Sequence, residues 1–234
     1  MKDNIDALNR QFADASPEEV LLWFVTEYAG KIAFSTSLGA EDQVITHMLS
    51  GLKRPIKIFT LDTGRLFQET YDILEITQKK YNLPIEVYFP DAARVEEMVN
   101  THGINLFYNS VENRQLCCTI RKIEPLSRAL AGMKAWITGL RKEQSVTRSA
   151  ASLVEWDNRQ GIIKVNPLIR WDSERLGRYI VENKIPLNEL HAKGYPSIGC
   201  IPCTRAIQPG EDVRAGRWWW EQPEYKECGL HKKP

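Results

Sequence analysis

The sequence predicts an α/β protein with a mostly parallel sheet and flanking helices. Three observations carry that expectation. Short apolar runs alternate with longer stretches of helical period from Ile32 to Thr138. Small polar turns of Ser, Thr, Gly and Asp separate them. A strand followed by a helix and another strand closes through a right-handed crossover, which makes the pairing parallel.

The elements follow in order. Residues 1–30 read as an N-terminal helical segment. Ser16-Pro17-Glu18-Glu19 has a cap residue, a first-turn proline and a Glu three residues on. Val20, Leu21, Phe24 and Val25 give that helix its apolar face. Ile32-Ala33-Phe34-Ser35 is a buried-strand candidate, and a helix carrying Val44, Ile45, Met48 and Leu49 begins at Glu41-Asp42. Ile56 to Leu61 reads as a second strand, Leu66 to Tyr81 as a helix, Ile85 to Phe89 as a strand and Ala92 to Thr101 as a helix. Ala135 to Thr138 and Ile162 to Val165 offer further strands, and Glu174 to Asn183 a further helix. Between Arg148 and Arg170 no motif is assignable. From Gly194 onward Gly, Pro, Trp and Cys dominate, as expected of a loop-rich C-terminal segment. Its last part, 205–234, is expected to end in a mobile tail carrying Cys228.

At 234 residues the expectation is one domain over 1–234. Lys and Arg total 31 against 30 Asp and Glu, so no dominant nucleic-acid footprint is expected. No apolar run approaches membrane-span length, and Met1 to Arg10 lacks the character of a secretory signal. A cytoplasmic protein is expected, where structural disulfides are rare. The five cysteines then need another explanation, and their spacing suggests four with one task and one with another.

In such sheets ligands bind outside the carboxyl ends of the strands. Ser35-Thr36-Ser37-Leu38-Gly39-Ala40-Glu41-Asp42 joins a strand to a helix there. Backbone N–H groups and the helix dipole can be aimed at an anion, and Gly39 lets the chain come close. An ordinary turn with a Ser cap fits the same residues, and no Gly-Lys-Ser/Thr follows to make a P-loop. Leu61-Asp62-Thr63-Gly64-Arg65 could wrap a ribose or an adenine edge. Gly139 to Arg148 brings two arginines and a lysine, and a guanidinium fork suits phosphate oxygens. Each loop alone reads as solvated surface, but three at one sheet edge point to a phosphorylated ligand.

Cys117-Cys118 falls in a helical stretch, and Cys200-Ile201-Pro202-Cys203 is a Cys-x-x-Cys turn. Such a turn suits metal ligation or a redox disulfide, and four thiolates also suit zinc. Adjacent cysteines diverge, which is awkward on one zinc but acceptable on different irons of an iron–sulfur cluster. Cys228 stands apart in Lys226-Glu227-Cys228-Gly229-Leu230-His231. Neighbouring Lys and His favour the thiolate, the nucleophilic form. A cysteine without a role is the plainer alternative. His47 and His102 read as helix-surface or packing residues, and His191 has no assignable segment. Trp218-Trp219-Trp220 is expected to pack the C-terminal segment, and Arg214 and Arg217, taken alone, read as surface residues.

Together, Cys117-Cys118-x-x-Arg121-Lys122, Gly139-Leu140-Arg141 to Arg148, Gly199-Cys200-x-Pro202-Cys203-Thr204-Arg205, Gly216-Arg217-Trp218-Trp219-Trp220 and Lys226 to His231 resemble the assimilatory adenylyl sulfate reductases of the phosphoadenylyl sulfate reductase family. The resemblance runs from about Ala33 to His231. It implies an adenine-nucleotide α-hydrolase-like (Rossmann-like) sheet and a [4Fe–4S] cluster on Cys117, Cys118, Cys200 and Cys203. It implies that Ser35, Thr36, Ser37, Gly39, Glu41 and Asp42 belong to the loop cradling the phosphosulfate. Leu61 and Gly64 would border the adenosine. Lys122 would lie between cluster and substrate, and Arg148, Arg214, Arg217 and His231 would face phosphate and sulfate oxygens. Cys228 would be the catalytic nucleophile, forming an S-sulfonate that thioredoxin or a similar dithiol resolves, in sulfate assimilation toward cysteine biosynthesis. A homo-oligomer is compatible with the sequence. The loop at Ser35 to Gly39 differs in detail from shorter family versions. Rival readings are a 3′-phosphoadenylyl sulfate or dual-substrate reductase, a tRNA-modifying ATP pyrophosphatase and a non-enzymatic iron–sulfur or zinc sensor.

Overall fold

The structure is a computed structural model that describes residues 4–144, 148 and 150–222. The chain forms two compact units, each assembled from several stretches. The first comprises Met1–Thr60, Glu69–Glu86 and Gly132–Asn188, and the second Leu61–Gln68, Val87–Ala131 and Glu189–Pro234, as far as each is described. No helix among the described residues is long and apolar enough to cross a membrane.

In the first unit, α1 (Ile5–Gln11) and α2 (Pro17–Glu27) form the N-terminal helices. The start expected at Ser16 is a complete capping box: the Glu19 N–H donates to the Ser16 hydroxyl, and the Glu19 carboxylate accepts from the Ser16 N–H. Next come β1 (Ile32–Ser35), α3 (Ala40–Leu52), β2 (Lys57–Leu61) and α4 (Gln68–Tyr81). Further along are β3 (Glu86–Tyr88), then α5 (Ala92–His102), α6 (Val111–Cys118) and α7 (Glu124–Ala129) of the second unit, and β4 (Ala135–Ile137) back in the first. The chain ends its regular elements with β5 (Val154–Asp157), β6 (Ile162–Val165) and α8 (Ser173–Glu182).

The six strands are ordered β3-β2-β1-β4-β6-β5. β1 runs parallel to β2 and β4, β4 runs parallel to β6, and β5 closes the edge antiparallel to β6. Strands buried on both faces read as continuous apolar runs, which is why β1 and β4 were legible, while β6 was read from Ile162, Ile163 and Val165 around a buried Lys164. β5 was not expected. Only Val154 of its four residues is fully buried, so it lacks that signature. The core beneath the sheet joins Phe34, Val44, Ile45, Ile137 and Val165 to Leu21 and Phe24 of α2.

The second unit has a smaller core of Met98, Leu106, Phe107, Ile120 and Trp218 with three of the clustered cysteines. Trp218 packs this C-terminal stretch as expected, only 1% exposed. Between α6 and α7 the helix widens into a π turn, Thr119–Ile123. Pro125 accounts for it: without an N–H it cannot bond the Arg121 carbonyl, and its ring crowds that carbonyl.

Candidate active-site loop and cysteine cavity

The strand order reverses between β1 and β4, so the crevice outside their carboxyl ends is the topological switch point. The Ser35 to Asp42 loop leaves β1 there, and Gly139 follows β4. The Thr36 N–H donates to the Phe59 carbonyl, and the Thr36 hydroxyl accepts from the Leu38 N–H. Leu38 takes a left-handed φ of 62°, and Gly39 caps α3 with no side chain to fill the helix N-terminus. Asp42 points inward: its Oδ2 accepts from the N–H and the hydroxyl of Ser37. Burial pushes that carboxyl up to about 6. Ser37 itself is exposed and Gly39 half-buried, so the outer rim of the loop is open.

Of the two arginines that Gly139 to Arg148 brings, one is turned away from solvent. Arg141 is buried, and its guanidinium bonds Glu41 and Glu143 at 2.9 Å and the Trp171 carbonyl at 3.2 Å. It braces the loop through Glu41. Arg148 is half-buried and donates to the Gln144 side chain. Residues 145–147 lie outside the described residues.

In the second unit, Cys117, Cys118, Cys200 and Cys203 are all buried free thiols lining one cavity. The last two residues of α6 supply one pair, and the short 3-10 turn Ile201–Cys203 with Cys200 before it presents the other. Lys122 lines the same cavity, together with Arg65, Arg114 and Arg121. Arg114 had no place in the expected site, Arg65 stood there only as the end of the Leu61 to Arg65 loop, and Arg121 only in the paired-cysteine motif. Helical spacing was the available signal, since Arg114 precedes Cys118 by four residues and Arg121 follows Cys117 by four. The Thr63 hydroxyl is 3.3 Å from the Cys200 sulfur, and Arg121 donates to the Thr63 carbonyl at 2.6 Å. Burial raises the Cys117 thiol and pushes Cys203 up to about 12. Burial outweighs the neighbouring cations, so bare thiolates are disfavoured here unless a metal centre shares the cavity. The buried Nε of Arg121 and Nε1 of Trp218 find no acceptor among the described residues. Among those residues no three Cys, His, Asp or Glu side chains converge on a single metal ion.

Leu61 ends β2, and Gly64 turns at φ +70° with its N–H on the Asp62 carboxylate at 2.7 Å. Arg217 is buried rather than a surface residue. It lies over the Trp218 ring at 4.6 Å and donates to the Cys203 and Ile198 carbonyls at 3.3 Å. Gly199 makes room for it, because a Cβ there would lie 2.3 Å from an Arg217 nitrogen. Arg214 is half-buried, 6.0 Å from the same indole. His191 sits in a 3-10 turn, its Nδ1 2.9 Å from the Tyr195 carbonyl. Cys228 and His231 lie outside the described residues.

The phosphoadenosine phosphosulfate reductase domain matches residues 31–206. The chain is 53% identical to an adenosine 5′-phosphosulfate reductase of Allochromatium vinosum, over 91% of this chain and 83% of that one. It is similar to the crystal structure of a phosphoadenylyl-sulfate reductase from Candida auris in complex with phosphate. That likeness has a TM-score of 0.76 at 34% identity, over 88% and 98% of the two chains. Yeast FAD synthetase in complex with FAD shares the fold alone, at 15% identity and a TM-score of 0.58 over 88% and 70%. The fold is thus the adenine-nucleotide α-hydrolase-like one expected from the sequence.

Proposed function

The chain belongs to the phosphoadenosine phosphosulfate reductase domain family, and we propose that it reduces adenylyl sulfate to sulfite and AMP in assimilatory sulfate reduction. The observation that carries this reading is the cavity walled by four buried cysteines and four basic side chains. It accompanies 53% identity to a protein named for that substrate.

The cavity residues fit a [4Fe–4S] cluster. All four thiols line one cavity, and the adjacent pair Cys117-Cys118 suits separate irons better than one zinc ion. The unpartnered Arg121 Nε and Trp218 Nε1 are donors of the kind that bond cluster sulfurs. Cys117, Cys118, Cys200 and Cys203 would hold the cluster, which when bound supplies a fixed charge distribution beside Lys122 and needs no change of redox state.

The chemistry belongs to Cys228. Its thiolate attacks the sulfate sulfur, an Sγ–S bond forms, and the bond from that sulfur to the bridging phosphate oxygen breaks. AMP leaves with the electron pair. A dithiol of the thioredoxin type then attacks Sγ of Cys228, releases sulfite and forms a mixed disulfide. Its second thiol resolves that disulfide, so the dithiol supplies two electrons and Cys228 returns reduced.

The switch-point loop supports the anion-binding part of this reading. Ser35, Thr36, Ser37 and Gly39 offer hydroxyls and N–H groups at the start of α3. Glu41 and Asp42 shape that loop from behind. Leu61, Gly64, Lys122, Arg148, Arg214, Arg217 and His231 remain assigned to adenosine, phosphate and sulfate contacts. Basic groups near the leaving phosphate would stabilise its developing charge.

The test is an anaerobic incubation with adenylyl sulfate and no thiol, read by intact mass and peptide mapping. One added sulfonate on the Cys228 peptide, with AMP released, is expected. The 34% identity to a phosphoadenylyl-sulfate reductase favours a second reading, in which the 3′-phosphorylated nucleotide is the substrate. Adduct formation from that nucleotide alone would select it, and no adduct from either would end the reductase reading.

A further inference from the structure

We propose that the buried pair Arg114–Glu221 is a mooring that holds the start of the Cys228-bearing segment against the cysteine cavity. Resting on the reading above, it makes both residues positioning residues for the nucleophile. Arg114 Nε and Nη2 donate to the two Glu221 carboxylate oxygens at 2.8 and 2.7 Å. The side chains are 1% and 3% exposed, so this is a fully desolvated fork. The same guanidinium lies 4.9 Å over the Trp218 ring, lines the cavity and hydrogen-bonds Cys118. One rigid group therefore touches a cavity thiol, the indole beside it and the root of the C-terminal segment.

The backbone prepares this contact. Thr204 and Arg217 form an antiparallel bridge, the Trp218 N–H donates to the Cys203 carbonyl at 3.3 Å, and the Glu221 N–H donates to the Trp218 carbonyl at 2.9 Å. Glu221 is thus carried inward by the turn that follows the Cys-x-x-Cys stretch. Burying two charges gains little stability over an apolar pair of the same volume, whereas it specifies one register. The register matters because Cys228 follows Glu221 by seven residues. At roughly 3.3–3.6 Å per residue the thiol must stay within about 25 Å of this anchor. Fixing the anchor raises the local concentration of the nucleophile at its target.

Three proteins test this: wild type, Glu221→Gln, and a wild-type chain with four Gly/Ser residues inserted between Gln222 and Pro223. Each is scored for iron per chain, visible absorbance and the single-turnover rate of Cys228 sulfonation by adenylyl sulfate. We expect both variants to keep iron and absorbance; at saturating substrate Glu221→Gln should sulfonate about tenfold more slowly, and the insertion, which lengthens the span from seven to eleven residues, about twofold more slowly. Half-saturating concentration should stay within about twofold of wild type. A wild-type rate in either variant overturns the proposal. So does a Glu221→Gln protein that loses iron in proportion to rate, since the pair would then only hold the cavity. A wild-type protein that never accepts sulfonate defeats the reductase reading instead, and the three results are distinguishable in one experiment.

Discussion

Oδ2 of Asp42 accepts both the backbone N–H and the hydroxyl of Ser37, each at 2.6 Å. One carboxyl thus holds the first turn of α3 and the loop before it in a single conformation. Burial raises that carboxyl from its ordinary 3.8 to about 6. The folded state therefore binds its proton more tightly than the unfolded chain does. The resulting stability is complete below about pH 4 and is lost as pH rises through about 6. At about 1.4 kcal/mol per pH unit the loss is on the order of 3 kcal/mol. Asp42→Asn should remove this dependence. In urea denaturation across that window, unfolding free energy of the variant minus that of wild type should rise with pH. A flat difference would mean that the carboxyl is solvated.

Gly139 is the counterpart of that clamp. A Cβ there would lie 2.1 Å from Asp42 Oδ1 and 3.1 Å from the Glu41 Cβ. Gly139→Ala should lower stability by roughly 2–4 kcal/mol, the range for forced overpacking with a displaced buried carboxyl. AMP binding by calorimetry should weaken in the same protein, because the loop that Asp42 holds would shift. A wild-type thermal midpoint would show that α3 yields freely.

Arg141 braces the loop from the other side through Glu41. Arg141→Ala leaves Glu41 without this partner and should cost roughly 3 kcal/mol. The double variant Arg141→Ala, Glu41→Ala should recover part of that loss, since no orphaned carboxylate remains. Additive losses in denaturant titrations would show that the pair is not coupled.

The division of labour among the cysteines predicts opposite phenotypes. Cys203→Ser, purified without oxygen, should lose visible absorbance and iron, and its thermal midpoint should fall as the cavity loses its counter-charge. Cys228→Ser should keep absorbance and iron yet show no turnover. If colour and activity vanish together in Cys228→Ser, that residue is a ligand and the assignment is wrong.

Local physics made much of this chain readable. The capping box at Ser16 and Glu19 is complete within one helical turn. Ile32-Ala33-Phe34 reads as a strand because both sheet faces are buried and every residue must be apolar. The helical setting of Cys117-Cys118 and the Cys-x-x-Cys turn were equally visible, and that spacing pointed to one shared centre. β5 escaped because three of its four residues are only partly buried, and the π turn escaped because Pro125 alone does not say how the helix will adjust.

What the sequence by itself determined was the class of fold, the loop that would face an anion and the grouping of the cysteines. The single elements, that loop and each pair of cysteines depend on residues within a few positions of one another. Only the tertiary structure decided which charges are buried. Arg114 meets Glu221 across 107 positions, Arg141 meets Glu41 across 100, and Arg217 turns inward over Trp218 beside Gly199. In sequence each of these arginines looks like a solvated cation. A buried cation must find a carboxylate, a carbonyl or an aromatic face wherever the fold brings one near, and no local pattern encodes that partner.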